Sequence, residues 1–365
     1  MTKMPFAAGV AAAALLATTT AFAEEEAVVN VYNWSDYIDE EILTEFEAET
    51  GIKVVYDVFD SNNILETKLL TGSTGYDVVV PSGTFLARQI QAGIFQPLDK
   101  GKLANLGNLD ETIMAVVSQW DPGNGYAINY MWGTTGFGYN TAKIAERAPE
   151  APTGSWRMLF DPDVVSKFAD CGVYMMDEPD EVVPAVLNFI GEDPNSHDTD
   201  VIAKVEPVLL AVRPHIRRFH NSAQINDLAN GDICLTMGWS GDMLQARDRA
   251  WEAENDVEIA YVIPDEGALT WFDMMAIPAD APHPGNAHTF LDYIMRPEVI
   301  AKASNYVYYA NGNAASTPLL DAEITEDPGI YPTEEARKGL YVTNPYPPKV
   351  QRFITRLWTR IKGAE

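Results

Sequence analysis

Residues 126–139 read YAINYMWGTTGFGY, a run dense in aromatics and glycine with no proline. Such a run suits one long extended strand, and its length suits a strand that crosses from one domain into another. On its N-terminal side the apolar runs Val28 to Tyr32, Ile52 to Phe59 and Tyr76 to Val80 read as strands. Helical stretches separate them: Ile38 to Thr50 carries Ile38, Ile42, Leu43 and Phe46 on one stripe and ends at Gly51, and Asn63 to Thr71 and Phe85 to Ala92 behave alike. On the C-terminal side a second series follows: strands at Val173 to Met176, Ile216 to Phe219 and Ile233 to Trp239, helices at Val182 to Ile190 and Met243 to Ala253. Strands that are apolar nearly throughout and lie between helices imply mostly parallel sheets covered on both faces. The expectation is an α/β protein of two lobes, with a return crossing near Asn255 to Ile263. Residues 24–130 with 255–306 would form lobe 1, and 131–254 with 307–365 lobe 2.

The chain's 365 residues suffice for two such domains. A hydrophobic share of 47% with 21% charged residues is that of a folded, water-soluble protein. Lys and Arg number 25 against 53 Asp and Glu, a net charge of -28. That balance argues against nucleic acid as a partner and welcomes a cation. Lys3, the apolar run Phe6 to Ala17 and Ala21-Phe22-Ala23 before three glutamates read as a cleaved signal peptide, residues 1–23. The run is short of the roughly 20 residues that span a bilayer. An exported protein with only Cys171 and Cys234 is expected to pair them, two separate buried thiols being the alternative. At the C-terminus Val350, Phe353, Ile354, Leu357, Trp358 and Ile361 form the apolar stripe of a basic amphipathic helix, expected to dock on the protein's own acidic surface rather than on a membrane.

Enzyme signatures do not appear. The five histidines make no HExxH pattern, and Ser240 in GWSGD lacks the spacing of a nucleophile elbow and reads as a helix N-cap. The glycines at 133, 136 and 138 form neither a dinucleotide fingerprint nor a phosphate loop. What recurs is a Trp closely followed by an Asp: Trp34 with Asp36, Trp239 with Asp242, Trp271 with Asp273. The first two stand where a strand gives way to a helix, the edge at which open α/β sheets bind ligands. Trp271 and Asp273, two apart on a strand, share a face. An indole face and a carboxylate together attract an alkylammonium group, the ring contributing roughly 0.5–2 kcal/mol and each buried methylene about 0.8. Asp36 and Ser35 also qualify as ordinary helix caps, and Trp271 as a core residue. In Asp177-Glu178-Pro179-Asp180-Glu181, Glu178 and Glu181 fall on one helix face; the acids also suit the helix dipole.

The runs YNWSDYI (32–38), TGIKVVYDVFDSN (50–62), GSTGYDVVVPS (72–82), FQPLDK (95–100), YMWGTTGFGYN (130–140), INDLANGDIC (225–234), GWSGD (238–242) and DPGIYP (327–332) resemble the periplasmic polyamine-binding proteins that serve ABC importers. The likeness spans nearly the whole chain after the signal and is greatest to the putrescine-type members. It implies the two-lobed periplasmic-binding-protein fold of type II, with ligand enclosed between the lobes by hinge closure. It also implies a disulfide between Cys171 and Cys234, no cofactor and no catalysis. Carried over motif by motif, the aromatic ligand contacts fall on Trp34, Tyr37, Trp239, Trp271 and Tyr309, and the polar and acidic ones on Ser35, Asp36, Ser82, Glu181, Asp242 and Asp273. Trp271 departs from the phenylalanine of putrescine-type receptors, and Glu178 matches an additional acid of spermidine-type ones. The expectation is therefore a periplasmic, monomeric receptor for a polyamine, spermidine ahead of putrescine, delivering to an inner-membrane ABC permease. The rival readings are a ferric-ion receptor using Tyr308 and Tyr309, and a serine hydrolase using Ser240 or Ser82.

Overall fold

The computed structural model describes residues 1–2 and 25–364; but for its first two residues the expected signal peptide lies outside the described residues. Strand β1 (Val28–Trp34) pairs in parallel with β2 (Lys53–Phe59) along its whole length, and with β3 (Val78–Val79) on its other side. The helix Glu40–Thr50 joins β1 to β2: Asp39 accepts from the Glu41 amide at one end, and Gly51 takes a left-handed φ of 73° at the other. Phe46 and Ile42 bury the stripe read from sequence. In the second lobe β5 (Val173–Met175) pairs in parallel with β6 (Arg218–Phe219) and β7 (Leu235–Trp239).

Two long strands tie the lobes together. Strand β4 (Ala127–Asn140) realises the aromatic and glycine-rich run at 126–139. From Ala127 to Thr135 it lies antiparallel to β9 (Ala268–Ala276), and from Thr135 to Tyr139 antiparallel to β7. One sheet path results, β2-β1-β3-β9-β4-β7-β5-β6. The core changes along β4: Ala127 to Met131 pack with the first lobe's cluster, and Phe137 with the second's.

Two expectations need correction here. The outer strands of each lobe are parallel, but both crossing strands pair antiparallel, so the sheet is mixed. The return crossing is β9, not 255–263, because β8 (Ile259–Val262) is a short, half-exposed edge strand paired with the second-lobe end of β4. Only the almost fully buried β9 has the length to traverse the interface. Residues 255–267 accordingly pack with lobe 2, where Ile259 joins the cluster of Tyr174, Ile225 and Met243.

Cys171 and Cys234 are joined, with Cα atoms 5.6 Å apart across 63 residues of chain. The C-terminal helix Pro348–Lys362 docks on lobe 2, burying Ile354, Leu357 and Ile361, while Lys362 and the Trp358 indole both bond Asp177. Among the described residues no helix is long and apolar enough to cross a membrane.

Candidate functional site

The C-terminal ends of β1, β3 and β7 and the middle of β9 meet between the lobes around a narrow cavity. From lobe 1 the Trp34 indole is held by its N–H donated to the Val80 carbonyl at 2.9 Å. Its ring lies 5.4 Å from that of Trp239, which comes from lobe 2, so the two indoles meet across the cleft. Trp271 and Tyr309 stand edge to face at 5.4 Å, and Tyr37 and Tyr309 at 5.1 Å. Aromatic faces thus line the cavity on several sides.

Acids occupy the remaining wall. Asp273 shares a strand face with Trp271 and is clasped from lobe 1: Ser82 donates its hydroxyl at 2.6 Å and Tyr37 its phenol at 2.8 Å. Asn62 in turn orients Ser82, donating to its hydroxyl at 2.9 Å. Asp242, near the start of the helix Ser240–Glu252, accepts the Tyr309 phenol at 2.7 Å. Glu181, in the first turn of the helix Pro179–Phe189, accepts the Thr135 hydroxyl. Burial pushes each of these three carboxyls up to about 7. Asp60 completes the acidic lining, and no lysine, arginine or histidine is among the residues of the wall. Carboxylates removed from water need a counter-charge, so this chamber is built to receive a cation.

The wall includes Trp34, Ser35, Tyr37, Ser82, Glu181, Trp239, Asp242, Trp271, Asp273 and Tyr309 from the expected set. Two expected residues are elsewhere. Asp36 adopts φ 54°, a left-handed conformation that turns its side chain to the rim, where its carboxylate meets Arg249 of lobe 2 at 2.6 Å. Gln245 adds a bond to the Asp36 carbonyl at 3.2 Å, so this residue clasps the lobes instead of facing the cavity. Glu178 is 2% exposed and accepts from Asn63 and Asn221, at 3.1 and 3.3 Å. It borders an adjoining chamber together with Asp180, Thr343, Trp239 and Trp271. Three wall residues escaped the sequence reading: Asp60, Asn62 and Asn221. The first two stand at the end of β2, a strand-to-helix edge like that of Trp34, and the same rule applied there finds them. Asn221 carries no sequence signal. Substituting Asp36 by asparagine is expected to weaken ligand binding by less than about 1 kcal/mol, since its pair with Arg249 is a third exposed on either side; calorimetry showing a larger loss would return Asp36 to the ligand.

The rival chemistries lack their geometry. Ser240 is the first residue of its helix and makes no capping bond, correcting that expectation; its hydroxyl lies 3.4 Å from the Thr134 amide. His220, His283 and His288 hold local partners of their own, and the Ser82 hydroxyl is given to Asp273. Tyr308, with φ 59°, ends its helix and packs with Ile324 and Ile330, whereas Tyr309 points into the cleft, so the two phenols diverge. Among the described residues no three of His, Cys, Asp and Glu are placed to hold a metal.

Lobe closure, which the resemblance implies, is expected to depend on pH in the empty protein, with a definite sign. Open to water, Glu181, Asp242 and Asp273 have ordinary carboxyl values near 4; closed and empty they rise to about 7. A group raised by closure favours the closed form most below its open-state value, and that gain is lost as pH rises through the closed-state value. The ligand-free closed population should therefore grow as pH falls from 8 to 5. Small-angle scattering of stripped protein should show the radius of gyration shrinking over that window; a flat profile would count against it.

Two α/β lobes joined by crossing strands around a wall of aromatic rings and carboxylates define a periplasmic binding protein of type II. The chain belongs to the bacterial extracellular solute-binding proteins, whose family model matches residues 41–333. It is 49% identical to the putrescine-binding periplasmic protein PotF of Escherichia coli, over 98% of this chain and 97% of that one. It is 49% identical to the putrescine-binding periplasmic protein SpuD of Pseudomonas aeruginosa, over 94% of each. Among solved structures it is similar to the spermidine/putrescine ABC transporter substrate-binding protein PotD of Streptococcus pneumoniae, with TM-score 0.73, 30% identity and coverage of 92% of this chain and 98% of that one. The resemblance carried by the sequence motifs is borne out, and the protein is a periplasmic binding protein, not an enzyme.

Proposed function

We propose that this protein captures a polyamine in the periplasm, closes its lobes around it and presents the closed form to an inner-membrane ABC permease. The observation that carries this reading is the central wall: four acidic residues and five aromatic ones, with no basic side chain. Amines of the lysine kind, with values near 10, enter protonated. We assign Asp242 and Asp273, each bonded by one of the contacting rings of Tyr309 and Tyr37, to one anionic pole. Glu181 and Asp60 supply the other, and the indoles of Trp34 and Trp239 cover the methylenes between. Without a ligand, closure leaves these acids uncompensated; a dication offsets that cost, which makes closure depend on the ligand.

Putrescine is the ligand best supported. Glu178, the acid that favoured spermidine, is spent on Asn63 and Asn221 and does not face the central chamber, and the relatives of 49% identity are named for putrescine. The second reading, spermidine, is favoured by the adjoining chamber, where Asp180 keeps an oxygen with no hydrogen-bond partner behind the shared Trp271 wall. Titration calorimetry on ligand-stripped protein with putrescine, cadaverine and spermidine separates these readings. Tightest binding of putrescine is expected; spermidine tighter by tenfold would reverse the order, and heat from none of the amines would end the polyamine reading.

A further inference from the structure

The Trp271 indole is a wall of both chambers, so its position decides how much of the space between the lobes a single ligand can use. Trp271 on β9 is the cross-strand partner of Gly133 on β4. The edge of its ring occupies the space beside that glycine: a β-carbon at position 133 would stand 2.7 Å from Trp271 Cζ2 and 2.9 Å from Cη2. Carbon atoms do not pack that closely. Directly opposed residues on a sheet normally hold their side chains side by side, and a glycine lets the facing aromatic recline on the bare backbone instead. The other atom near that point is Ser240 Oγ at 2.8 Å, the tip of a side chain that one bond rotation moves aside. The indole is rigid and must move as a whole.

We propose that Gly133 is a positioning residue that sets the length of amine the receptor accepts, by leaving room against β4 for the ring edge of Trp271. The inference rests on the polyamine reading above. A methyl group at 133 lifts the ring off the sheet toward Tyr309, the aromatic it already touches, and shortens the chamber from that side. The bonds that hold Asp242 to Tyr309, and Asp273 to Ser82 and Tyr37, do not involve residue 133. The expected change is therefore in size selectivity rather than in charge recognition. Phenylalanine, with one ring, does not reach over position 133 as the indole does, so the effect of a methyl there depends on Trp271.

The experiment is calorimetry with 1,3-diaminopropane, putrescine, cadaverine and spermidine on the wild type, Gly133→Ala, Trp271→Phe and the double variant. Gly133→Ala should lower the affinity ratio of cadaverine to 1,3-diaminopropane by about tenfold or more, the size of a typical overpacking effect. In the Trp271→Phe background the same substitution should change that ratio by less than about twofold. An unaltered ratio in folded Gly133→Ala protein overturns the inference. So does a double variant that departs from Trp271→Phe alone, a comparison that decides the matter even where the alanine variant by itself does not fold. A wild type that binds none of the four amines overturns the polyamine reading and this inference with it, whereas normal amine binding with an unchanged ratio overturns the inference alone.

Discussion

Asp273→Asn should weaken putrescine binding roughly a hundredfold, about 3 kcal/mol, while leaving the folded protein no less stable. The residue is 4% exposed and its two oxygens are taken by the Ser82 and Tyr37 hydroxyls, so its charge is held in a place from which water is excluded. Removing one partner of a buried ion pair costs about 3–5 kcal/mol because the other charge is left uncompensated. An ammonium group entering the variant would keep Asp242 but lose the other carboxylate of its pole. The apo protein gains instead: burial already pushes the Asp273 carboxyl up to about 7, and a neutral amide of the same shape carries no such penalty. Calorimetry and thermal melts on one preparation test both halves. A dissociation constant within threefold of wild type would remove Asp273 from the ammonium-binding pole.

Replacing both Cys171 and Cys234 by alanine should cost about 4 kcal/mol of stability and lower the melting temperature by roughly 6 °C. The bond closes a loop across 63 residues, and the chain-entropy model assigns a closure of that length about this value. The bridge precedes β5 and β7 at the end of the lobe-2 sheet remote from the cleft; Trp239 lies at the far end of β7, more than 10 Å along the strand. Amine affinity measured well below the melt should therefore change little. A melting point within 2 °C of the oxidised protein's would contradict the stability argument, and a large loss of affinity would contradict the separation of bridge and site.

The parts of the site legible in the sequence are those set by local rules. Trp271 and Asp273 share a face because strand side chains alternate, and Trp34, Trp239 and Asp242 stand at strand-to-helix edges because those edges are where such sheets bind. Asp36 shows the limit of the rule. It occupies the same edge as Trp34, two residues on, yet a single left-handed backbone angle turns it to Arg249, and nothing in its type or spacing announces that angle. Glu178 shows another limit: one face of a helix start held it beside Glu181 as expected, but Asn63 arrives from the opposite lobe to occupy it. The return crossing expected near Asn255 to Ile263 meets instead β8, whose register against 137–140, which only the folded sheet reveals, places it at the edge of lobe 2.

Taken alone, the sequence determined the two α/β lobes, the long crossing strand, the helix cap at Gly51, that only two cysteines were there to pair, and the aromatic and acidic character of the pocket. Each of these follows from contacts among near neighbours in the chain or from residue counts. Only the tertiary structure decided which strand returns between the lobes, which acids face the central chamber and which clasp its rim, and that the ring edge of Trp271 fills the space beside Gly133. Those depend on where segments more than a hundred residues apart come to rest against one another, and a linear pattern carries the chemistry of a side chain but not the direction in which the closed fold points it.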